Sequence, residues 1–337
     1  MKHRSFGRTG LRVSQIALGT ANFGTRWGHG ADAETSAAIF NAYAEAGGAF
    51  IDTADIYQFG ESEETLAGLL AGRRDMFVLA TKFTNGAVPG AGRLVTGNSR
   101  QAMVASVEAS LKRLKTDRID LLWVHHPDGI TPSEEIVRGL DDLARAGKIL
   151  YAGLSNFPAW RLARAVTLAE MTRAVPIAAA QFEHSLVHRL AEEDTFPAAR
   201  ALGLGMVTWS PLGGGLLTGK YRAGETGRAE ALGGRVFQAE NTSQRSAIVD
   251  TVLDIARETG ASPDQVAIAW AGSHGAVPLI GPRSFAQLTS NLGALTVELS
   301  GAQLARLDTV SATGPTSEAP RAGAPWDGVE TATAPVA

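Results

Sequence analysis

The sequence predicts an α/β fold: a single (β/α)8 TIM barrel with an N-terminal β-hairpin and extra helices at the C-terminus. Three observations carry this reading. Short apolar runs bounded by turn residues recur along the chain, each followed by a segment of helical period. Alternating strand and helix build a parallel sheet, and eight such units fill a closed barrel better than an open sheet. Charged residues end several of the runs, Asp52, Lys82 and His125 among them, and the C-terminal rim is where barrel active sites lie. Finally, the first run is followed by Gly19-Thr-Ala-Asn-Phe-Gly24, which lacks the G-x-G-x-x-G spacing that an open dinucleotide-binding sheet needs there.

The elements follow in order. Residues 3–15 read as a hairpin around Arg8-Thr-Gly10. Residues 16–20 form a first strand, and a loop with Asn22, Phe23, Gly24 and Trp27 follows. A helix over 33–46 ends at Gly47-Gly48, glycine being the usual residue for a left-handed helix stop. Ala49, Phe50 and Ile51 are apolar and lead into Asp52; Tyr57 comes five residues later, at the start of a loop. A helix near 62–72 and an apolar strand ending in Lys82 are next. A glycine-rich loop leads to a helix near 99–114, with Asn98 and Gln101 as cap residues. The strand 119–125 ends in His125, and Thr131-Pro-Ser-Glu134 reads as a capping box opening a helix to about 146. Strands at 149–154, 177–181 and 206–210 alternate with helices at 157–172 and 194–202. A glycine-rich stretch, 212–241, has little regular pattern. Helices near 246–258 and 264–272 precede the last strand, 277–280, and helices near 285–293 and 301–310 close the fold. The barrel is expected over residues 1–313, and composition predicts that the Ala/Pro/Thr/Gly-rich tail 314–337 is loosely ordered.

Composition bounds the function. The chain has 337 residues, enough for one barrel with insertions. A net charge of −3 gives no basic surface for nucleic acid. The absence of cysteine excludes disulfides and thiolate metal sites and fits a reducing, cytoplasmic setting. No apolar signal core follows Met1, and no run of ~18 apolar residues suggests a membrane span.

A carboxylate at the end of an apolar strand is costly unless paired. Lys82 and His125, ending the next two strands, are the candidate partners of Asp52, and Tyr57 stands close to it in sequence. Singly, these residues have plain structural readings: an ion pair, a core tyrosine, a packing histidine. Together on one rim they read as a site.

At these residues the chain resembles the aldo-keto reductases. The motifs are Phe50-Ile-Asp-Thr-Ala-Asp-Ile-Tyr57 with Gly60-x-Ser62-Glu63, Lys82, His125-His-Pro127, Gly153-Leu-Ser-Asn156, Gln181, Trp209-Ser-Pro-Leu212, and Gly281-x-Arg283 with Gln287 and Asn291. They fall in order, and the resemblance runs from about residue 3 to about 310. The resemblance implies a (β/α)8 barrel, a nicotinamide cofactor bound without a Rossmann domain, and reduction of a small-molecule carbonyl. Tyr57 is then the proton donor, its phenol tuned below its usual pKa near 10 by the Lys82 ammonium. Asp52 holds Lys82 in place, and His125 hydrogen-bonds the carbonyl oxygen.

The resemblance also implies a cofactor site. Ser155, Asn156 and Gln181 correspond to residues that bind the carboxamide, and Trp209 stands where the family often stacks a tyrosine on the nicotinamide. Gly19, Thr20, Ser210, Leu212, Gly281, Gln287 and Asn291 complete the expected contacts. Gly214-Gly-Leu-Leu-Thr-Gly-Lys220-Tyr comes one residue short of a P-loop, since Tyr221 cannot replace the metal-binding Ser or Thr. Gly214, Gly219 and Lys220 instead read as a loop against the pyrophosphate, with Arg222, Arg228 and Arg235 as candidate clamps. Arg283, before the Ser284-Phe-Ala-Gln287 capping box, suits the 2′-phosphate of NADP, so NADPH is expected, with NAD as the alternative. Phe23, Trp27, His126 and Trp326, with Phe237, are expected at the substrate mouth. His184 and His188 lack an acidic partner at convincing spacing, so no metal is expected. Two other readings stand beside carbonyl reduction. One is a redox-sensing barrel resembling potassium-channel β subunits. The other is a Schiff-base enzyme on Lys82, disfavoured because Asp52 would keep Lys82 protonated.

Overall fold

Eight parallel strands hydrogen-bond into a closed barrel in which strands consecutive in sequence are neighbours and the last closes on the first. The computed structural model describes residues 1–222 and 238–313. The barrel strands are β3 (Ala17–Gly19), β4 (Phe50–Asp52), β5 (Val78–Phe83), β6 (Ile119–Val124), β7 (Ile149–Ser155), β8 (Ile177–Glu183), β9 (Gly205–Trp209) and β10 (Val277–Ile280). Their near-continuous apolar sequence reflects burial on both faces. One face fills the barrel with Ala17, Phe50, Ala80, Leu121, Trp123, Ala179, Val207, Val277 and Leu279. The N-terminal hairpin, β1 (His3–Ser5) and β2 (Arg12–Ser14), carries Phe6, whose ring meets Phe50 edge-on at 5.6 Å. Gly205 leaves room for it: a Cβ there would stand 2.7 Å from the Phe6 ring.

The helices among the described residues are α1 (Ala33–Glu45), α2 (Glu61–Leu70), α3 (Arg100–Leu114), α4 (Ser133–Arg145), α5 (Ala159–Thr172), α6 (Thr195–Ala201), α7 (Ser243–Thr259), α8 (Pro263–Ser273), α9 (Phe285–Gly293) and α10 (Gly301–Val310). No helix among these residues is long and apolar enough to cross a membrane.

Two helix starts and one capping box differ from the sequence reading. Helix α4 begins after Pro132, because the Thr131 hydroxyl donates to Asp128 (2.6 Å) instead of capping. Helix α3 is capped by Ser99, since the Asn98 side chain is turned to the His126 carbonyl at 2.9 Å. At α9, Ser284 accepts from the Gln287 N–H, but Gln287 accepts from the Arg283 N–H rather than closing the box on Ser284. The stretch after β9 is not wholly irregular, since Gly213–Thr218 forms a short 3-10 turn. Residues 314–337 with Trp326, and Arg228, Arg235 and Phe237, lie outside the described residues.

Strand register places the site. Gly19 pairs with Asp52 and Asp52 with Ala80, so Lys82 lies two residues further along the same inward face of β5. Lys82 pairs with Trp123, and His125 again lies two residues on; Ser155 pairs with Gln181. Side-chain alternation therefore brings Asp52, Lys82, His125, Ser155 and Gln181 to one rim. Gly153 makes this possible: a Cβ there would meet the Trp123 ring at 2.5 Å.

Candidate active site

Lys82 is the centre of the rim. It is 1% exposed, and its ammonium is ion-paired to Asp52, which is fully buried. It also donates to the Thr53 carbonyl at 3.0 Å and to Tyr57 Oη at 3.2 Å. The second Asp52 oxygen accepts from Gln181 Nε2 at 3.0 Å. Gln181 thus completes the carboxylate's hydrogen bonding as well as lining the cavity. Burial alone would lower the lysine pKa, but Asp52 and Tyr57 outweigh it and raise it, so Lys82 stays an ammonium.

Tyr57 follows β4 by five residues and opens a 3-10 turn in which Gln58 and Phe59 have φ of 50° and 52°. That left-handed pair is held by the Gln58 side chain. It accepts from the Trp27 N–H at 2.8 Å and donates to the carbonyls of Ala21 (3.2 Å) and His29 (3.0 Å). The β3 loop is thereby tied beside Tyr57, with the Trp27 ring edge-on to the phenol at 6.1 Å. The expected lowering of the Tyr57 pKa is not what the environment produces. Burial raises it, and the nearby Lys82 charge offsets only part of that rise. The phenol is therefore held protonated.

His125 stands edge-on to Tyr57 with ring centroids 6.0 Å apart. Burial, then the Lys82 and His126 charges, hold its pKa well below the usual histidine range, so it is neutral. Tyr57 and His125 face a cavity of about 700 Å³, while Lys82 and Asp52 stand behind them.

The cavity collects most of the residues singled out from the sequence: Gly19, Trp27, Ser155, Asn156, Gln181, Trp209, Ser210, Leu212, Gly214, Lys220, Gly281, Arg283, Gln287 and Asn291. Asn156 and Ser210 take φ of 60° where their strands end and the chain turns. The Trp209 indole N–H donates to Asn156 Oδ1 at 3.0 Å, which fixes the plane of the ring.

Other expected residues are elsewhere. Phe23 is fully buried in the apolar cluster of Ile39 and Phe40, so its ring faces the core instead of the mouth. Thr20 is buried behind the wall, its hydroxyl donating to the Asp52 carbonyl at 3.2 Å. Gly219 ends the 3-10 turn and points towards Leu253, outside the cavity lining. His126 does not line the cavity; its Nε2 bonds Asn85 at 2.8 Å. Arg222 is ion-paired to Glu240 and Asp250. His184 and His188 do have acidic partners, contrary to the sequence reading: Glu192 at 2.6 Å and Glu183 at 3.7 Å. The His184 ring is stacked on Trp270 at 4.9 Å. Among the described residues no three His, Asp or Glu side chains are grouped to hold a metal.

Sequence reasoning passed over Asn22, Asn85 and Asp264. Asn22 Nδ2 ties the β3 loop to the Gly281 carbonyl at 2.8 Å, and Asp264 accepts from Asn291 at 2.7 Å. Asn22 and Asn85 each stand three residues beyond a strand's last inward position, and that was the signal available for them.

The cavity's donors fit a dinucleotide. One arm is walled by Gly214 and Gly215, at φ of 65° and 95°, where bare backbone allows close approach. At the start of α9, Arg283 lines the cavity, and its guanidinium has no hydrogen-bond or ion-pair partner among the described residues. A helix N-terminus beside a free guanidinium is a position for an anion.

Comparison with known proteins agrees with this geometry. The aldo/keto reductase family model matches residues 15–312. The chain is 36% identical over 333 residues to the uncharacterized oxidoreductase YrpG of Bacillus subtilis, covering 96% of this chain and 99% of that protein. It is 34% identical over 312 residues to a norsolorinic acid reductase of Aspergillus flavus, covering 89% and 78%. It is also 34% identical over 309 residues to a probable voltage-gated potassium channel subunit beta of Oryza sativa, covering 88% and 92%. With an eight-stranded barrel, a buried Asp52–Lys82 pair behind Tyr57 and His125 on its rim, and a family match over nearly its whole length, the chain belongs to the aldo/keto reductase family.

Proposed function

We propose that this aldo/keto reductase family oxidoreductase reduces an aldehyde or ketone to an alcohol, with NADPH as cofactor and Tyr57 as proton donor. The observation that carries the reading is Tyr57 Oη, 3.2 Å from the buried Lys82 ammonium and facing the same cavity as Trp209 and Arg283. Ser155, Asn156 and Trp209 are suited to hold a nicotinamide, the Gly214–Gly215 backbone a pyrophosphate, and Arg283 a 2′-phosphate. When bound, the cofactor supplies hydride to the carbonyl carbon. The chain's own part is the proton. As negative charge grows on the oxygen, Tyr57 gives up its hydroxyl proton and the Lys82 ammonium stabilises the phenolate left behind. Asp52 and the Thr53 carbonyl keep that ammonium aimed at the phenol. Neutral His125 hydrogen-bonds the same oxygen.

Trp27 makes the mouth apolar and suits uncharged aldehydes, ketones or a cyclic, sugar-like carbonyl. The cysteine-free composition agrees with a cytoplasmic setting. The channel-subunit relative supports a second reading, a redox-sensing barrel that binds cofactor and turns over slowly. One experiment separates them: single-turnover hydride transfer with a reactive aldehyde at saturating NADPH, for wild type and Tyr57→Phe. The variant keeps the ring and loses the proton, so its rate should fall by about 10²–10⁴-fold. Rates agreeing within about threefold would remove Tyr57 as the acid, and a wild type without measurable transfer would favour the sensing role.

A further inference from the structure

We propose that Asn85 is a positioning residue that holds His125 as the Nε2–H tautomer, so that its N–H faces the substrate oxygen, and that Asn85 couples this choice to His126. The inference rests on the proposed reading of the site. Asn85 stands between the two histidines: its Nδ2 is 3.3 Å from His125 Nδ1, and its Oδ1 is 2.8 Å from His126 Nε2. A primary amide donates only through nitrogen and accepts only through oxygen. His126 has two acceptors beside its ring, Asn85 Oδ1 at 2.8 Å from Nε2 and the Pro127 carbonyl at 3.3 Å from Nδ1, and the shorter contact takes its hydrogen to Nε2; with the amide oxygen so engaged, Asn85 Nδ2 donates to His125 Nδ1. Neutral His125 has a single N–H, which is then on Nε2, the nitrogen left for the cavity that the ring lines. The opposite tautomer would turn a lone pair towards a carbonyl oxygen and repel it.

The surroundings over-determine this geometry. Both histidine carbonyls are held by amide side chains at 2.9 Å, His125 by Asn156 and His126 by Asn98. Thr84, directly before Asn85, has φ of 135°, a conformation that β-branched residues rarely adopt. Its hydroxyl is tied to Asn98 Oδ1 at 2.7 Å. Strain kept in place by surrounding bonds is characteristic of functional loops. Here it turns the chain so that Asn85 points back to the rim.

The test reads the tautomer directly. Long-range proton–nitrogen NMR on ¹⁵N-labelled full-length protein should give His125 a protonated Nε2 and an unprotonated Nδ1, with the signal assigned by its loss in His125→Gln. Asn85→Asp replaces the donor with an acceptor, and should move the hydrogen to Nδ1. It should slow single-turnover reduction by about 10²-fold, the scale of losing one donor to a developing oxyanion. NADPH affinity should stay within about twofold, because Asn85 is not in the lining. Asn85→Ala should give mixed tautomers and an intermediate rate. A wild-type His125 protonated on Nδ1 overturns the proposal, and so does an Asn85→Asp protein whose tautomer and rate are unchanged. The NMR result needs neither turnover nor Tyr57, so it stands apart from failure of the reductase reading.

Discussion

Replacing Asp55 by asparagine should make the protein more stable at high pH and change little as the medium becomes acid. Asp55 is 1% exposed, and neither carboxylate oxygen has a side-chain hydrogen-bond partner among the described residues. Burial pushes its pKa from 3.8 to about 7; the Glu63 carboxylate adds to the rise, and Arg113 offsets part of it. The folded pKa is therefore above the unfolded one, and the folded state binds the extra proton. The stability Asp55 contributes is fully present below 3.8 and is lost as pH rises to about 7. At ~1.4 kcal/mol for each tenfold change, the whole loss is about 4 kcal/mol. Asparagine is neutral throughout and loses nothing. Urea unfolding of both proteins at about pH 5 and pH 8.5 should show the variant gaining about 3 kcal/mol over wild type between the two conditions. Any fixed cost of the added amide cancels in that comparison. A stability difference that is the same at both pH values would refute the reasoning, and Asp55 would then be ionised or solvated in the folded protein.

Two further outcomes follow from single residues. Arg283→Ala should weaken NADPH binding about tenfold or more, the scale of a lost charge-assisted phosphate contact, and leave NADH nearly unchanged; equal losses in titration would remove Arg283 from the phosphate site. Arg113→Met should destabilise the fold by ~3–5 kcal/mol in chemical unfolding, because it strips the fully buried Glu63 of its 2.7 Å partner; a loss under about 1 kcal/mol would refute the pair's part in stability.

Much of the barrel is legible in the sequence. Apolar period and turn residues locate strands, and the rule that side chains alternate across a strand places Asp52, Lys82 and His125 on one rim. The spacing of Tyr57 after Asp52 marked the site because the residue types themselves suggest acid catalysis. Helix starts were less legible. Thr131 and Asn98 have the chemistry of caps, but each is spent on a tertiary hydrogen bond, to Asp128 and to His126.

The sequence by itself determined which groups are present, on which strand and with which face inward, since these depend on local chemistry and a fixed period. Only the tertiary structure decided how those groups behave. Phe23 faces the core because the β3 loop is folded back by Gln58. Gln181 bonds Asp52 across a sequence separation of 129 residues, and Asn85 bridges two histidines from another strand. The Tyr57 pKa rises because burial outweighs a single neighbouring ammonium. Such balances depend on distance and on excluded water, and neither is defined until the strands have closed.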